Sequence, residues 1–436
     1  MRISMVVTRS LAVGVMVAGA SGLAHALPQT FDDPTPVASE QFGHAVSLSG
    51  DNVLIGANLD VTADGRVGQA HLFSAATGAL LQTFDDPTPT FDDRFGSSVS
   101  VSGDNVLIGA ARDDTTGVDV GQAHLFNAAS GALLRTFDDP TPTGGDSFGS
   151  SVSVSGDNVL IGAAFDDTTG VNVGQAHLFS VATGALLQTF DDPTPTGGDS
   201  FGGSVSVSGD NVLIGAAFDD TTGVDVGQAH LFSAATGALL QTFDDPTPSG
   251  GDLFGNSVSV SGDNVLIGAV LDDTSGVNVG RAFLFSAATG ALLQTFDDPT
   301  PTGGDLFGSS VAVSGDNVLI GAAFDDTTGV DAGQVYLFSA ATGALLRIFD
   351  DPTPANQDLF GNSVSLSGDN ALIGALLDDT TGFNVGQAYL FNLLADDDGL
   401  PVPEPSPLAL LGAGLLGLGF LRRRGTGGQG GSKQGA

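Results

Sequence analysis

The octapeptide Gly50–Ala57, GDNVLIGA, decides how this chain is read. It returns every 53 residues, and its seventh copy is GDNALIGA at Gly368–Ala375. A fixed period of this length means counting repeats before counting domains. Working outward from the second copy, Asn105–Ala110 is a short, continuous apolar run suited to a strand buried on both faces. Just before it, Ser97–Ser102 alternates Ser with Val, the two-residue period of a strand. Gly103-Asp104 between them is a tight-turn signal. Downstream, Gln122–Asn127 and Ala132–Phe137 read as a third and a fourth strand joined through Ala129-Ser130-Gly131. No stretch keeps a helical period. Four antiparallel strands in about fifty residues, repeated seven times, predict an all-β, seven-bladed β-propeller.

A parallel β-helix also stacks short strands, so the chain ends have to decide between the two. FDDPTP begins at Phe31, Phe84, Phe137, Phe190, Phe243, Phe296 and Phe349. The fourth-strand motif follows its own third strand only six times, the last at Leu345–Phe349. After the seventh third strand, Gly386–Phe391, the chain reads NLLADDDGLP. The missing copy, LPQTF, stands instead at Leu27–Phe31. If it supplies the outer strand of the last blade, the ring closes, whereas an open solenoid needs capping repeats. The propeller is therefore expected over residues 27–398, with 27–31 pairing against Gly386–Phe391.

The two ends differ in composition from the repeats. Met1–Ala26 has Arg2 and Arg9 before an apolar run, and the small residues Ala24 and Ala26 flank His25 in an A-x-A cleavage pattern. That is a secretory signal peptide. Residues 399–407 form a Pro-rich linker. The apolar run 408–421 is about 21 Å long as a helix, short of a ~30 Å hydrocarbon core. A basic and then Gly-rich tail, 422–436, ends the chain. Between the ends, residues 27–400 hold six basic residues against 49 acidic ones, a net charge of −43. Such a surface excludes nucleic acid as a partner and favours cations or basic partners. With no Cys, the chain has no disulfide, thiolate metal site or thiol nucleophile.

Two resemblances add to this reading. Pro403-Glu404-Pro405, the apolar run 408–421 and Arg422-Arg423-Arg424 look like the PEP-CTERM sorting signal of exopolysaccharide-producing Gram-negative bacteria. The resemblance implies a transient inner-membrane anchor through residues 408–421, removal of the tail by an exosortase-type enzyme, and an outer-envelope or extracellular destination. The Gly425–Ala436 extension departs from tails that stop at the Arg cluster. Phe95-Gly96, Gly109-Ala110 and Gly121-Gln122-Ala123-His124-Leu125-Phe126, recurring in all seven units, resemble the FG-GAP repeat of integrin α chains. Many such repeats hold calcium on an Asp-rich loop between the first two strands. That loop is here only Ser102-Gly103-Asp104-Asn105, so those ligands do not carry over.

Alternating blade connections place the blade-to-blade loops and the second-to-third-strand loops on one face. Asp138, Asp139, Asp146, Asp166 and Asp167 then gather in one sector as candidate calcium ligands, calcium being a hard cation that takes oxygen donors. The same Asp residues read equally as turn chemistry, bonding local backbone amides in water. His71, His124, His177 and His230 share one repeat position with Phe283, Tyr336 and Tyr389, which points to a half-buried packing site. The three fixed Phe positions read as blade-to-blade packing.

Residues that break the sevenfold symmetry are few. They include Glu40, His44 and the trio Arg66, Arg94 and Arg112, expected close together on the acidic face as a contact for an anionic group or partner. No catalytic set is apparent. The expected function is non-enzymatic adhesion or scaffolding in extracellular polymer or biofilm, with extracellular polysaccharide or a surface protein as partner. The alternative is a propeller-fold polysaccharide hydrolase or lyase with its site at the loops of blades 1 and 2.

Overall fold

A computed structural model describes residues 28–63 and 65–394. The leader Met1–Ala26, Leu27, the linker 399–407, the apolar run 408–421 and the tail 422–436 lie outside the described residues. Among the described residues, no helix is long and apolar enough to cross a membrane.

Seven four-stranded antiparallel sheets make up the unit Pro28–Leu393. In blade 2 the strands are Phe95–Ser102, Asn105–Ala110, Gln122–Asn127 and Leu133–Asp138, paired in sequence order. Blade 7 alone is discontinuous. Its first three strands are Phe360–Ser367, Asn370–Ala375 and Gln387–Asn392. Its fourth is Gln29–Asp32 from the other end of the chain, with Gln29 opposite Leu390 and Phe31 opposite Ala388. The ring therefore closes as the missing seventh motif requires.

The Ser-Val alternation has a direct structural use. Valines of the first strand face the core, while serines reach the first strand of the next blade. Val101 N donates to Ser47 Oγ at 3.0 Å, Val154 N to Ser100 Oγ at 3.0 Å, and Leu48 N to Ser365 Oγ at 3.0 Å across the closure. The apolar cores lie between blades rather than within them. Leu54, Leu72 and Phe84 of blade 1 pack with Phe95, Ile108 and Phe126 of blade 2. The ring of Phe126 is 4.9 Å from Phe84 and meets Phe95 edge-on at 6.2 Å. Each repeat alone would leave its apolar side in water, so closure is what completes the core.

The Phe-Gly and Gly-Ala landmarks meet at these joints. Phe95 pairs with Ala110, but the register then jumps to Ser98 opposite Gly109, leaving a bulge at Gly96-Ser97. In the next-but-one blade, the equivalent Phe-Gly segment, which there precedes the strand Ser204–Ser208, brings the carbonyl oxygen of Gly202 to 2.0 Å from where a Cβ on Gly162 would sit. Gly162→Ala is expected to lose about 3 kcal/mol in denaturant unfolding, the upper end of overpacking, because a backbone group cannot move aside. Gly103→Ala has open space but a φ of +57°, and should lose only about 1–2 kcal/mol.

Candidate functional site

The second-to-third-strand loop and the following blade-to-blade loop do share a face, and they bond to each other. Gly145 N donates to Val118 O at 2.9 Å and Phe148 N to Val120 O at 2.7 Å. Beneath them the structure sorts the five acidic candidates into two groups. Asp139, Asp146 and Asp166 are buried, whereas Asp138 and Asp167 are exposed. Asp138 Oδ1 accepts from Gln122 Nε2 at 2.6 Å, and Asp167 Oδ1 accepts from Asn172 N at 2.7 Å. Turn chemistry describes those two. It also accounts for half of Asp139, whose Oδ1 accepts from Thr141 N at 2.8 Å, but Asp139 does so out of reach of water.

The missed signal was the strand period itself. Phe137 is buried, so in an extended chain Asp138 points out and Asp139 points back in. The same alternation buries Asp33, Asp86, Asp192, Asp245, Asp298 and Asp351. In each of these seven residues Oδ2 has no hydrogen-bond partner.

Blades 2, 3, 4 and 6 share one set of surroundings for this orphan oxygen. In blade 2, the Thr88 hydroxyl has one proton but faces three acceptors. They are Asp86 Oδ1 at 3.4 Å, Asp113 Oδ2 at 3.2 Å and Gln122 Oε1 at 3.0 Å. Asp93 is better served, taking both the amide and the hydroxyl of Thr90. Burial pushes the Asp86 carboxyl up to about 7, and the nearby Asp113 and Asp93 add to the rise. Burial likewise raises Asp139 to about 6, with Asp146 and Asp166 contributing. In the first repeat, burial raises both Glu40, which stands where other repeats have Asp, and Asp60.

The repeated histidines are more enclosed than a half-buried packing site. His124, His177 and His230 are fully buried and His71 nearly so. A packing role is real, with the His124 ring 5.9 Å from that of Phe95 and tilted to it, but the ring also reaches polar groups. His124 Nδ1 lies 3.1 Å from Thr136 Oγ1, and Nε2 points at Asp86 Oδ1 from 3.9 Å, too far for a hydrogen bond. Burial lowers its pKa to about 4. Neutral imidazoles thus face the acidic clusters at neutral pH.

Arg66, Arg94 and Arg112 do converge, around Asp92. Arg112 Nη1 donates to Asp92 Oδ2 at 3.1 Å, Arg94 Nε is 4.0 Å from the same oxygen, and Asp92 N donates to Arg66 O. Burial, with Arg112 and Arg66 beside it, lowers the pKa of Arg94. The Asp92 carboxylate thus bonds the guanidinium of Arg112 and lies near that of Arg94, while Arg66 meets Asp92 through the backbone. His44, next to Arg94, is held down to about 4 by burial and by that charge.

Geometry defines the class as a closed seven-bladed propeller whose one loop-bearing face overlies a ring of buried acidic clusters. A model of the FG-GAP repeat matches residues 36–73, 89–126, 142–179, 195–232, 246–285, 301–338 and 353–391. These matches cover more than half of the chain, which belongs to the FG-GAP repeat family. A model of the PEP-CTERM protein-sorting motif matches residues 401–424, which include Pro403, Glu404, Pro405 and Arg422–Arg424. That motif marks an exported, envelope-associated protein and implies processing by an exosortase-type enzyme. No curated protein matches the chain.

Proposed function

We propose that this exported propeller works without catalysis, as an adhesive or scaffolding module in the extracellular polymer, and that its loop face binds a repeating partner such as polysaccharide. The observation that carries this reading is a ring of exposed apolar tips. Val118, Val171, Val224, Val277 and Val330 stand at one position of successive loops, all well exposed, and Phe383 takes that place in blade 7. Acidic residues flank them, as Asp114 and Asp119 flank Val118. Identical weak contacts spaced around a ring engage a repeating polymer through multivalency, which multiplies a modest single-site affinity. The PEP-CTERM motif supports the address.

The test incubates purified protein with the extracellular polysaccharide of the producing cells. The polymer should carry the protein down on sedimentation, and its chain length should not change. Release of new reducing ends would overturn the non-catalytic reading and favour a hydrolase or lyase.

A further inference from the structure

The buried clusters are short of protons, and the seven blades differ in how they make up the shortage. Blades 6 and 7 put Tyr at the His position. Tyr336 Oη donates toward Gln334 Oε1 at 2.7 Å and Asp325 Oδ2 at 3.0 Å, adding one hydrogen where acceptors crowd. Blade 5 has Phe283 there, but Arg281 replaces the usual Gln. It removes an acceptor and brings a guanidinium, with Nε 2.6 Å from Asp297 Oδ1 and Nη1 3.3 Å from Thr247 Oγ1. Blades 1 to 4 have neither device. They retain the Gln and carry His71, His124, His177 and His230, whose Nε2 atoms have no hydrogen-bond partner.

In blades 1 to 3, one carboxylate oxygen from each of two Asp residues and a ring nitrogen of the His lie within 4.8 Å of one another. In blade 2 these are Asp86, Asp113 and His124; in blade 4 the grouped carboxylates are Asp192, Asp199 and Asp219, with His230 at the equivalent repeat position, and blade 5 groups Asp245, Asp252 and Asp272 with no His. A carboxylate buried without a donor or cation is strongly disfavoured. From two buried carboxylates gathered about an imidazole nitrogen that has no partner, we propose that each His-bearing blade binds one divalent metal ion of borderline hardness, zinc or manganese.

The donor set selects the ion. Two carboxylates and an imidazole suit zinc or manganese, whereas calcium takes oxygen ligands. His124 Nε2 and Asp86 Oδ1 are 3.9 Å apart, about half an ångström beyond the ~3.4 Å of two tetrahedral ligands bound at about 2.1 Å, so these side chains would close slightly on the ion. The Thr136 hydroxyl at Nδ1 holds the ring so that Nε2 faces the carboxylates, as second-layer partners of metal-bound His do. Tyr336, Tyr389 and Arg281 bring hydrogens to the clusters of blades 5 to 7, but Oδ2 of Asp245, Asp298 and Asp351 stays unpartnered there too, so what sets blades 1 to 4 apart is the unpartnered imidazole nitrogen.

The full chain is refolded in Zn2+, in Mn2+ or in Ca2+ and dialysed, and its metal content is measured by mass spectrometry. Zinc or manganese should be retained at one ion per His-bearing blade, and the bound manganese should show nitrogen couplings from imidazole in its electron spin-echo spectrum. His124→Phe imports the residue that blade 5 already uses at this position, so it should fold and retain one ion fewer. Asp86→Asn should do the same. Retention of neither metal overturns the proposal, as does an unchanged ion count in His124→Phe. Binding of calcium alone, indifferent to His124→Phe, also overturns it.

Discussion

A chain lacking Gln29–Asp32 should be destabilised by more than any single core substitution, and it should self-associate. The strand buries Phe31, whose ring lies 5.2 Å from Phe73 of blade 1, so it stitches the last blade to the first. Phe31→Ala alone is expected to lose about 3–5 kcal/mol, the usual range for a large buried aromatic. Deletion removes that contact, the pairing to Gln387–Leu390 and the bond from Gln387 Nε2 to Asp32 Oδ1. It also leaves the third strand of blade 7 as an open edge, which templates pairing with another chain. Denaturant unfolding and light scattering read the two effects. A synthetic peptide of residues 28–33 added in trans should restore part of the stability, and unchanged unfolding on deletion would contradict closure by this strand.

The second large effect is the response to pH of protein stripped of metal by a chelator. Carboxylates whose folded pKa is raised, such as Asp86 and Asp351 at about 7 and Asp139, Asp192, Asp245 and Asp298 at about 6, stabilise the fold most below pH 3.8. Their contribution is lost as pH rises through 6–7. The imidazoles His71, His124, His177 and His230, depressed to about 4, act the other way. Their contribution is present above pH 6.5 and lost as pH falls through 4. His44 makes a fifth depressed imidazole, but every blade supplies a raised carboxylate and Glu40, Asp60, Asp93 and Asp358 are raised as well, so the carboxylates win. Stability of the chelated protein should therefore fall by at least about 2 kcal/mol between pH 5 and pH 7.5, each uncompensated proton contributing about 1.4 kcal/mol per pH unit. A protein that grows more stable over this range would show that the clusters are not desolvated as described.

Much of the fold was legible because the repeat states it seven times. The run Asn105–Ala110, the Ser-Val alternation before it and the displaced motif at 27–31 set strand number, order and closure. The site was legible only in part. Sequence places two Asp residues side by side in FDDPTP, and composition treats them alike. Their fates diverge because strand geometry turns Asp139 inward beside Thr141 and His177 while Asp138 faces water. The His position looked like packing because Phe and Tyr share it. What that exchange conceals is chemistry supplied by a different residue in each blade, Arg281 in one and the hydroxyls of Tyr336 and Tyr389 in two others. The convergence of Arg66, Arg94 and Arg112 followed from loop placement, but Asp92 as its centre did not.

The proposed function turns on the exposed tips of the loop face, which take no part in the cores or clusters. Val118, Val171, Val224, Val277, Val330 and Phe383 can be changed together to Ser with the melting temperature held near that of the parent, since each is well exposed. The deciding measurement is sedimentation of parent and variant with extracellular polysaccharide at matched ionic strength. The parent should be carried down and the sixfold variant should remain in solution, with at least a tenfold loss of apparent affinity. Equal sedimentation of the two proteins would contradict binding through the loop face.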